Sequence, residues 1–209
     1  MSKSLKTLSN KPPKLWWTLT EPRAVLDLAS FYAARRRLKK LPKGDGHPVM
    51  VIPGFLSNDG ATVPLRSLLR DLGYRTYGWG QGQNRVINDD VVERVTAKLK
   101  RIYAKNDQQK VSLVGWSLGG VVARELAKQN PDLVRSVITL GSPISGQFTH
   151  TPAYKIYTSL NGQPTEEDLA FYLTIKDPPP VPSTSVYSKS DGIVAWQHSL
   201  QTETPMAEN

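Results

Sequence analysis

The chain has 209 residues, 39% of them hydrophobic, with no cysteine, three histidines and a formal net charge of +9. One full core fits that length, and a disulfide scaffold or a thiolate metal site is excluded. His47, His150 and His198 do not fall at metal-ligand spacing, so no metal is expected, and no apolar run approaches the ~20 residues that span a bilayer. The N-terminus lacks the apolar stretch and small-residue cleavage site of a signal peptide, which sets a cytoplasmic location as the expectation.

The positive charge is local. Residues 1–46 hold 11 Lys/Arg against 3 Asp/Glu, while residues 47–209 hold 16 against 15. The body is therefore nearly neutral, and no nucleic-acid partner is expected. Pro22 suits the first turn of a helix running to about Leu41, with Leu28, Phe31, Tyr32 and Leu38 on one side and Arg35, Arg36, Arg37, Lys39 and Lys40 near its end. Cations there complement the helix dipole. With Trp16 and Trp17, the same helix also suits peripheral contact with an anionic membrane surface.

From His47 onward strands and helices alternate. Val49 to Ile52 reads as a strand, Pro64 to Leu72 as a helix with Leu65, Leu68, Leu69 and Leu72 on one face, and Tyr74 to Trp79 as a strand. Val91, Val92, Val95, Leu99 and Ile102 mark an amphipathic helix entered through Asn88-Asp89-Asp90. Then come a strand over 110–114, a helix stopped at Asn130-Pro131, and strands over 134–140 and 183–187. Near-continuous apolar strands separated by helices predict a three-layer α/β/α sandwich with a mostly parallel sheet. Two parts are expected: a basic extension over 1–46, and a domain over 47–209 with a cap at about 144–181.

Chemistry in such sheets gathers at the carboxyl ends of the strands. Gly115-Trp116-Ser117-Leu118-Gly119 lies between a strand and a helix, and its glycines leave room for a sharp turn that exposes the Ser117 hydroxyl. Serine is a poor nucleophile without a base, and the base works best when a carboxylate orients it. Asp191, just past a later strand, is the candidate acid. The backbone N–H groups of Phe55 and Leu118 are placed to hold an oxyanion.

These segments give the chain its resemblance. Val51-Ile-Pro-Gly-Phe55, Gly115-Trp-Ser-Leu-Gly-Gly120, Leu140-Gly-Ser-Pro143 and Tyr187-Ser-Lys-Ser-Asp-Gly-Ile-Val194 occur in the order and spacing of an α/β-hydrolase. The chain resembles the bacterial esterases and lipase-like hydrolases of that superfamily. The resemblance implies a serine hydrolase that cleaves carboxylic esters through an acyl-serine intermediate, without a cofactor. Ser117 would be the nucleophile, Asp191 the acid, and Phe55 and Leu118 the oxyanion-hole residues, with Gly141-Ser142-Pro143 at the pocket edge.

One element departs from the pattern. The family places its catalytic histidine beyond one more helix and strand, and only 18 residues follow Asp191. His47 precedes a strand and is expected at the edge away from Ser117. His198 is expected on a helix leading away from Asp191, and His150 falls within the cap. The expectation is a chain shortened at its C-terminus, lacking the last strand and helix of the fold, weakly active and prone to self-association through an exposed sheet edge. The alternative is a non-catalytic α/β-hydrolase-like binding or membrane-surface protein.

Overall fold

The computed structural model describes residues 24–144, 158–159, 162–163 and 174–209. Helix α1 (Ala24–Leu38) precedes β1 (Pro48–Ile52), α2 (Val63–Asp71), β2 (Arg75–Gly78), α3 (Asp89–Lys105) and β3 (Val111–Trp116). Helix α4 (Leu118–Gln129), β4 (Val134–Leu140), β5 (Ser183–Val186), a 3-10 turn (Trp196–Ser199) and β6 (Ala207–Glu208) complete the order. The six strands form one sheet in the order β2-β1-β3-β4-β5-β6, and every neighbouring pair is parallel. This is the expected three-layer arrangement.

The two faces follow from the alternation of side chains along β1. Met50 and Ile52 join Leu113 and the buried residues of α3 and α4 in the larger core, which includes Val95, Leu99, Val122 and Leu126. Val49, Val51 and Val114 point the other way and pack with Leu65 and Leu69 of α2. Because both faces are covered, β1 is buried at all five positions, which explains its unbroken apolar run. Helix α3 is capped as its sequence suggests, with the Asn88 side chain accepting from the Val91 N–H at 3.0 Å.

Helix α1 is shorter than its sequence suggests, and its apolar side is not buried. Leu28 and Tyr32 remain 46% and 49% exposed. Polar contacts tie it down instead: Arg35 donates to Asp71 at 2.7 Å and to Ser67 at 2.5 Å, and Lys39 pairs with Asp71 at 3.4 Å. Trp16 and Trp17 lie outside the described residues.

After Asp191 the chain departs further from expectation. No two-turn helix leads away. A loop and the single 3-10 turn fold back, and residues 207–208 add a sixth strand that pairs Ser183 with Ala207 and Thr184 with Glu208. That strand forms because pairing, which no local propensity in this polar tail announces, supplies partners for the outer side of β5. Strand β6 covers Ser183 and Thr184 of β5, and beyond that pairing Val186 is 48% exposed.

The amino edge of the sheet carries its own hydrogen-bond chain. His47 Nδ1 lies 2.5 Å from Asp45 Oδ1, and its Nε2 lies 2.8 Å from Ser112 Oγ at the start of β3. Ser112 Oγ is in turn 3.0 Å from Ser136 Oγ on β4, and Arg135 donates to Asp45 Oδ2 at 2.7 Å. The chain runs from the segment before β1 to β3 and β4.

Candidate active site

Ser117 occupies the turn between β3 and α4 with φ 51° and ψ −122°, a left-handed conformation that a residue with a Cβ adopts only under constraint. The constraint is close packing. A Cβ on Gly115 would run into the backbone of Gly119 and Gly120, and one on Gly119 would run into the carbonyls of Ile52 and Pro53. A Cβ on Gly120 would strike the Ser142 side chain. The strand end, the helix start and the β1 terminus thus touch through backbone alone, and the Ser117 N–H is fixed to the Leu140 carbonyl at 2.8 Å. Ser117 itself is half-buried at the carboxyl edge, beside an exposed Trp116.

The turn after β1 lies against this elbow. A Cβ on Gly54, the residue before Phe55, would stand 3.2 Å from the Ser117 Cβ. Leu118 opens α4, where the first N–H groups of a helix have no partner within the helix and the dipole favours negative charge. The two predicted oxyanion residues therefore flank Ser117 from two different elements.

Asp191 follows β5, one strand beyond β4. Its Oδ1 accepts from the N–H groups of Ile193 (2.8 Å) and Val194 (2.9 Å). Its Oδ2 faces Gly141, where a Cβ would come within 3.0 Å, and Gly141 has φ 53° at the end of β4. The residue is at once a turn carboxylate and a carboxylate held at the site edge. Strand axes about 4.8 Å apart put the β3 and β5 ends roughly 10 Å from each other, enough for an imidazole with a hydrogen bond on each side.

The histidines sort by position. His47 is bonded to Ser112, five residues before Ser117 along β3, on the order of 16 Å away at the strand rise. It belongs to the opposite edge, as expected. His198 is on the 3-10 turn, 6% exposed, with its carbonyl accepting from the Ile144 N–H at 2.8 Å. Tyr187 stacks on Trp196 at 5.7 Å between ring centres, and this contact closes the acid loop and brings the turn back over the sheet. His150 lies outside the described residues, as does most of the cap expected over 144–181.

Two supports of the site left little mark in the sequence. Asn84, 0% exposed, bonds to the turn after β1 through its backbone and its side chain. Arg124 of α4, 1% exposed, donates to Gln201 Oε1 at 2.6 Å and to the Asp177 carbonyl at 3.0 Å. Burial pushes its pKa down to about 10, opposed by the nearby Asp177. Gln201 also bridges Ser183 and Glu208, so Arg124 joins α4 to β5 and β6. An arginine within a small-residue helix was the one available signal.

Comparison with known proteins places this geometry. Residues 48–203, three quarters of the chain, match the family model described as palmitoyl protein thioesterase. The chain belongs to that family. Its fold is similar to that of a Bacillus licheniformis lipase in mature form, with TM-score 0.54 and 18% identity over 80% of this chain and 83% of that one. A structure titled for the metagenome-derived lipolytic enzymes LipS and LipT gives TM-score 0.56 and 14% identity over 75% and 77%. At these identities the likeness is one of fold, the α/β-hydrolase fold. A triacylglycerol lipase of Pseudarthrobacter phenanthrenivorans is 41% identical over 54 residues, 26% of this chain and 17% of its own length. A Burkholderia plantarii triacylglycerol lipase matches equally over 54 residues, 15% of its length. The chain thus aligns with less than a fifth of these curated relatives. No helix among the described residues is long and apolar enough to cross a membrane.

Proposed function

We propose that the protein is a serine hydrolase of carboxylic esters. The observation that carries this reading is the strained conformation of Ser117, φ 51°, between a strand end and a helix N-terminus. Ser117 Oγ attacks the acyl carbonyl and forms the acyl-serine as the alcohol leaves with a proton. Water then cleaves the acyl-serine and releases the acid. The N–H groups of Phe55 and Leu118 hold the oxyanion in both steps, a contribution of about 10²–10³ in rate per donor. Asp191 orients the imidazole that takes the Ser117 proton.

Among the histidines of this sequence, His198 and His150 are the candidates for that imidazole, since His47 is bonded to Ser112 at the other edge. A fluorophosphonate probe tests the assignment. Labelling should occur on Ser117, vanish in Ser117→Ala, and fall sharply in whichever of His198→Ala and His150→Ala removes the base. Absence of both labelling and ester turnover in the unmodified chain would sink the reading. The family's name makes acyl thioesters a second substrate class for this site. Turnover of p-nitrophenyl esters against acyl thioesters of matched chain length reads the preference.

Part of the same proposal is peripheral contact with an anionic membrane through α1. Its exposed Leu26, Leu28 and Tyr32, with the exposed Arg36, Arg37 and Lys40, support it. Cosedimentation with phosphatidylserine vesicles that weakens with salt is the expected result. Self-association through the sheet edge at the exposed Val186, beyond the residues that β6 pairs, is read by sedimentation velocity.

A further inference from the structure

We infer that Asn84 is the positioning residue of the oxyanion turn: its side-chain amide holds the Pro53 carbonyl, and with it the Phe55 N–H, in the orientation the reaction uses. The inference rests on the hydrolase reading for its catalytic consequence, but its structural half stands by itself.

The turn after β1 has no regular structure to hold it, and one of its residues is strained, Leu56 having φ 57°. Three hydrogen bonds to a single residue fix it. Asn84 Nδ2 donates to the Pro53 carbonyl at 2.8 Å, the Leu56 N–H donates to the Asn84 carbonyl at 2.7 Å, and the Asn84 N–H donates to the Ser57 carbonyl at 2.8 Å. Phe55 lies between the held groups. Fixed donors stabilise developing charge only if they need no rearrangement at the moment of reaction, so whatever fixes Pro53 to Ser57 sets the quality of the hole.

The loop that carries Asn84 is itself anchored. Asp59 accepts from the N–H groups of Trp79 and Gly80, each at 2.9 Å, and the buried Trp79 ring N–H donates to the Gly82 carbonyl at 2.9 Å. The β1–α2 and β2–α3 connections are therefore laced together at both ends, by Asp59 and by Asn84. A bond to an anchored loop is a bond to the scaffold.

One further observation separates positioning from plain stabilisation. Asn84 Oδ1 is fully buried and has no hydrogen-bond partner among the described residues. An unpaired buried acceptor destabilises a fold, and an apolar residue of the same size would avoid that cost. The residue is thus poorly suited to stability alone, while its Nδ2 is well suited to the Pro53 carbonyl.

The experiment compares the full chain with Asn84→Leu and Asn84→Ala, reading kcat and KM on p-nitrophenyl butyrate, thermal midpoint, and hydrogen exchange across residues 53–57. Asn84→Leu should lose about 10- to 100-fold in kcat with KM within about threefold, exchange faster at Leu56, and lower its midpoint because the buried Pro53 carbonyl loses its donor. A stabilising role alone would also lower the midpoint, but would leave kcat per folded molecule and exchange at Leu56 unchanged. Wild-type kcat and exchange in the folded variants overturn the inference. Should Asn84→Leu not fold, the same readings on Asn84→Ala decide. If the unmodified chain neither turns over ester nor takes up a fluorophosphonate, the hydrolase reading has failed separately, and unaltered exchange in the variants would then remove the positioning claim as well.

Discussion

Gly119→Ala tests whether the contact between α4 and the β1 terminus is part of the catalytic apparatus. The added Cβ would run into the Ile52 carbonyl oxygen and stand 2.5 Å from that of Pro53, where ordinary contact begins at 3.4 Å, so the helix start and the β1 terminus must part by about 0.9 Å. Gly119 is held in the first turn of a helix whose interior is packed, and Pro53 begins the less regular turn, so the turn yields. Overpacking of this kind costs about 1–3 kcal/mol, a fall of several degrees in thermal midpoint for a domain of this size. The catalytic effect should exceed what the loss of stability explains. Displacing an oxyanion donor by nearly 1 Å costs on the order of 10² in rate. Fluorophosphonate labelling followed over time, at a temperature where the variant is folded, measures it. A variant with a lowered midpoint but a wild-type labelling rate would show that Phe55 is not a donor and that the turn's position is immaterial.

Further outcomes follow from other contacts. Ser117→Gly should abolish labelling and raise the thermal midpoint, because glycine accepts φ 51° without the roughly 1 kcal/mol that a Cβ costs there. Arg124→Ala leaves Gln201 and the Asp177 carbonyl without their buried donor and should destabilise by about 1–3 kcal/mol, measured by urea unfolding. Hydrogen bonds from His47 and then Arg135 hold the Asp45 carboxyl below its ordinary 3.8, and Arg35 with Lys39 does the same for Asp71. A folded-state value below the unfolded one gives stability that is fully present above the unfolded value and is lost as pH falls from there through the lower folded-state value. The thermal midpoint should thus drop progressively as pH falls below about 4, less steeply in Asp45→Asn.

What the sequence made legible was what local chemistry dictates. The apolar run 49–52 and the spacing of Val91, Val95, Leu99 and Ile102 identify buried elements because burial on one or two faces imposes a period. Gly115 and Gly119 identify the elbow because no other residue fits so near a neighbouring backbone. The remainder depends on partners distant in sequence. Asn84 sits in a polar, glycine-containing loop with no periodicity, and its meaning appears only when Pro53 is seen beside it. Strand β6 is two polar residues whose conformation comes from pairing with Ser183 and Thr184. The fold-back after Asp191, where a helix was expected, depends on the stacking of Trp196 on Tyr187. For the same reason the way helix α1 is held was not legible: Arg35 is fixed by Asp71, 36 residues away.

The chain of Asp45, His47 and Ser112 at the amino edge bears on how a hydrolytic serine should be recognised. Its linkage order, carboxylate to imidazole to hydroxyl, is that of a catalytic relay, and its contacts are short. Yet Ser112 is 6% exposed and belongs to a strand paired on both sides, with no helix N-terminus beside it. A tetrahedral adduct there would have neither room nor donors for its oxygen. The same sheet therefore holds two serines of opposite endowment: Ser112 has the relay within a buried strand, and Ser117 has the strained turn and the helix N-terminus. A search by side-chain distance alone would choose Ser112, and a fluorophosphonate should pass it over.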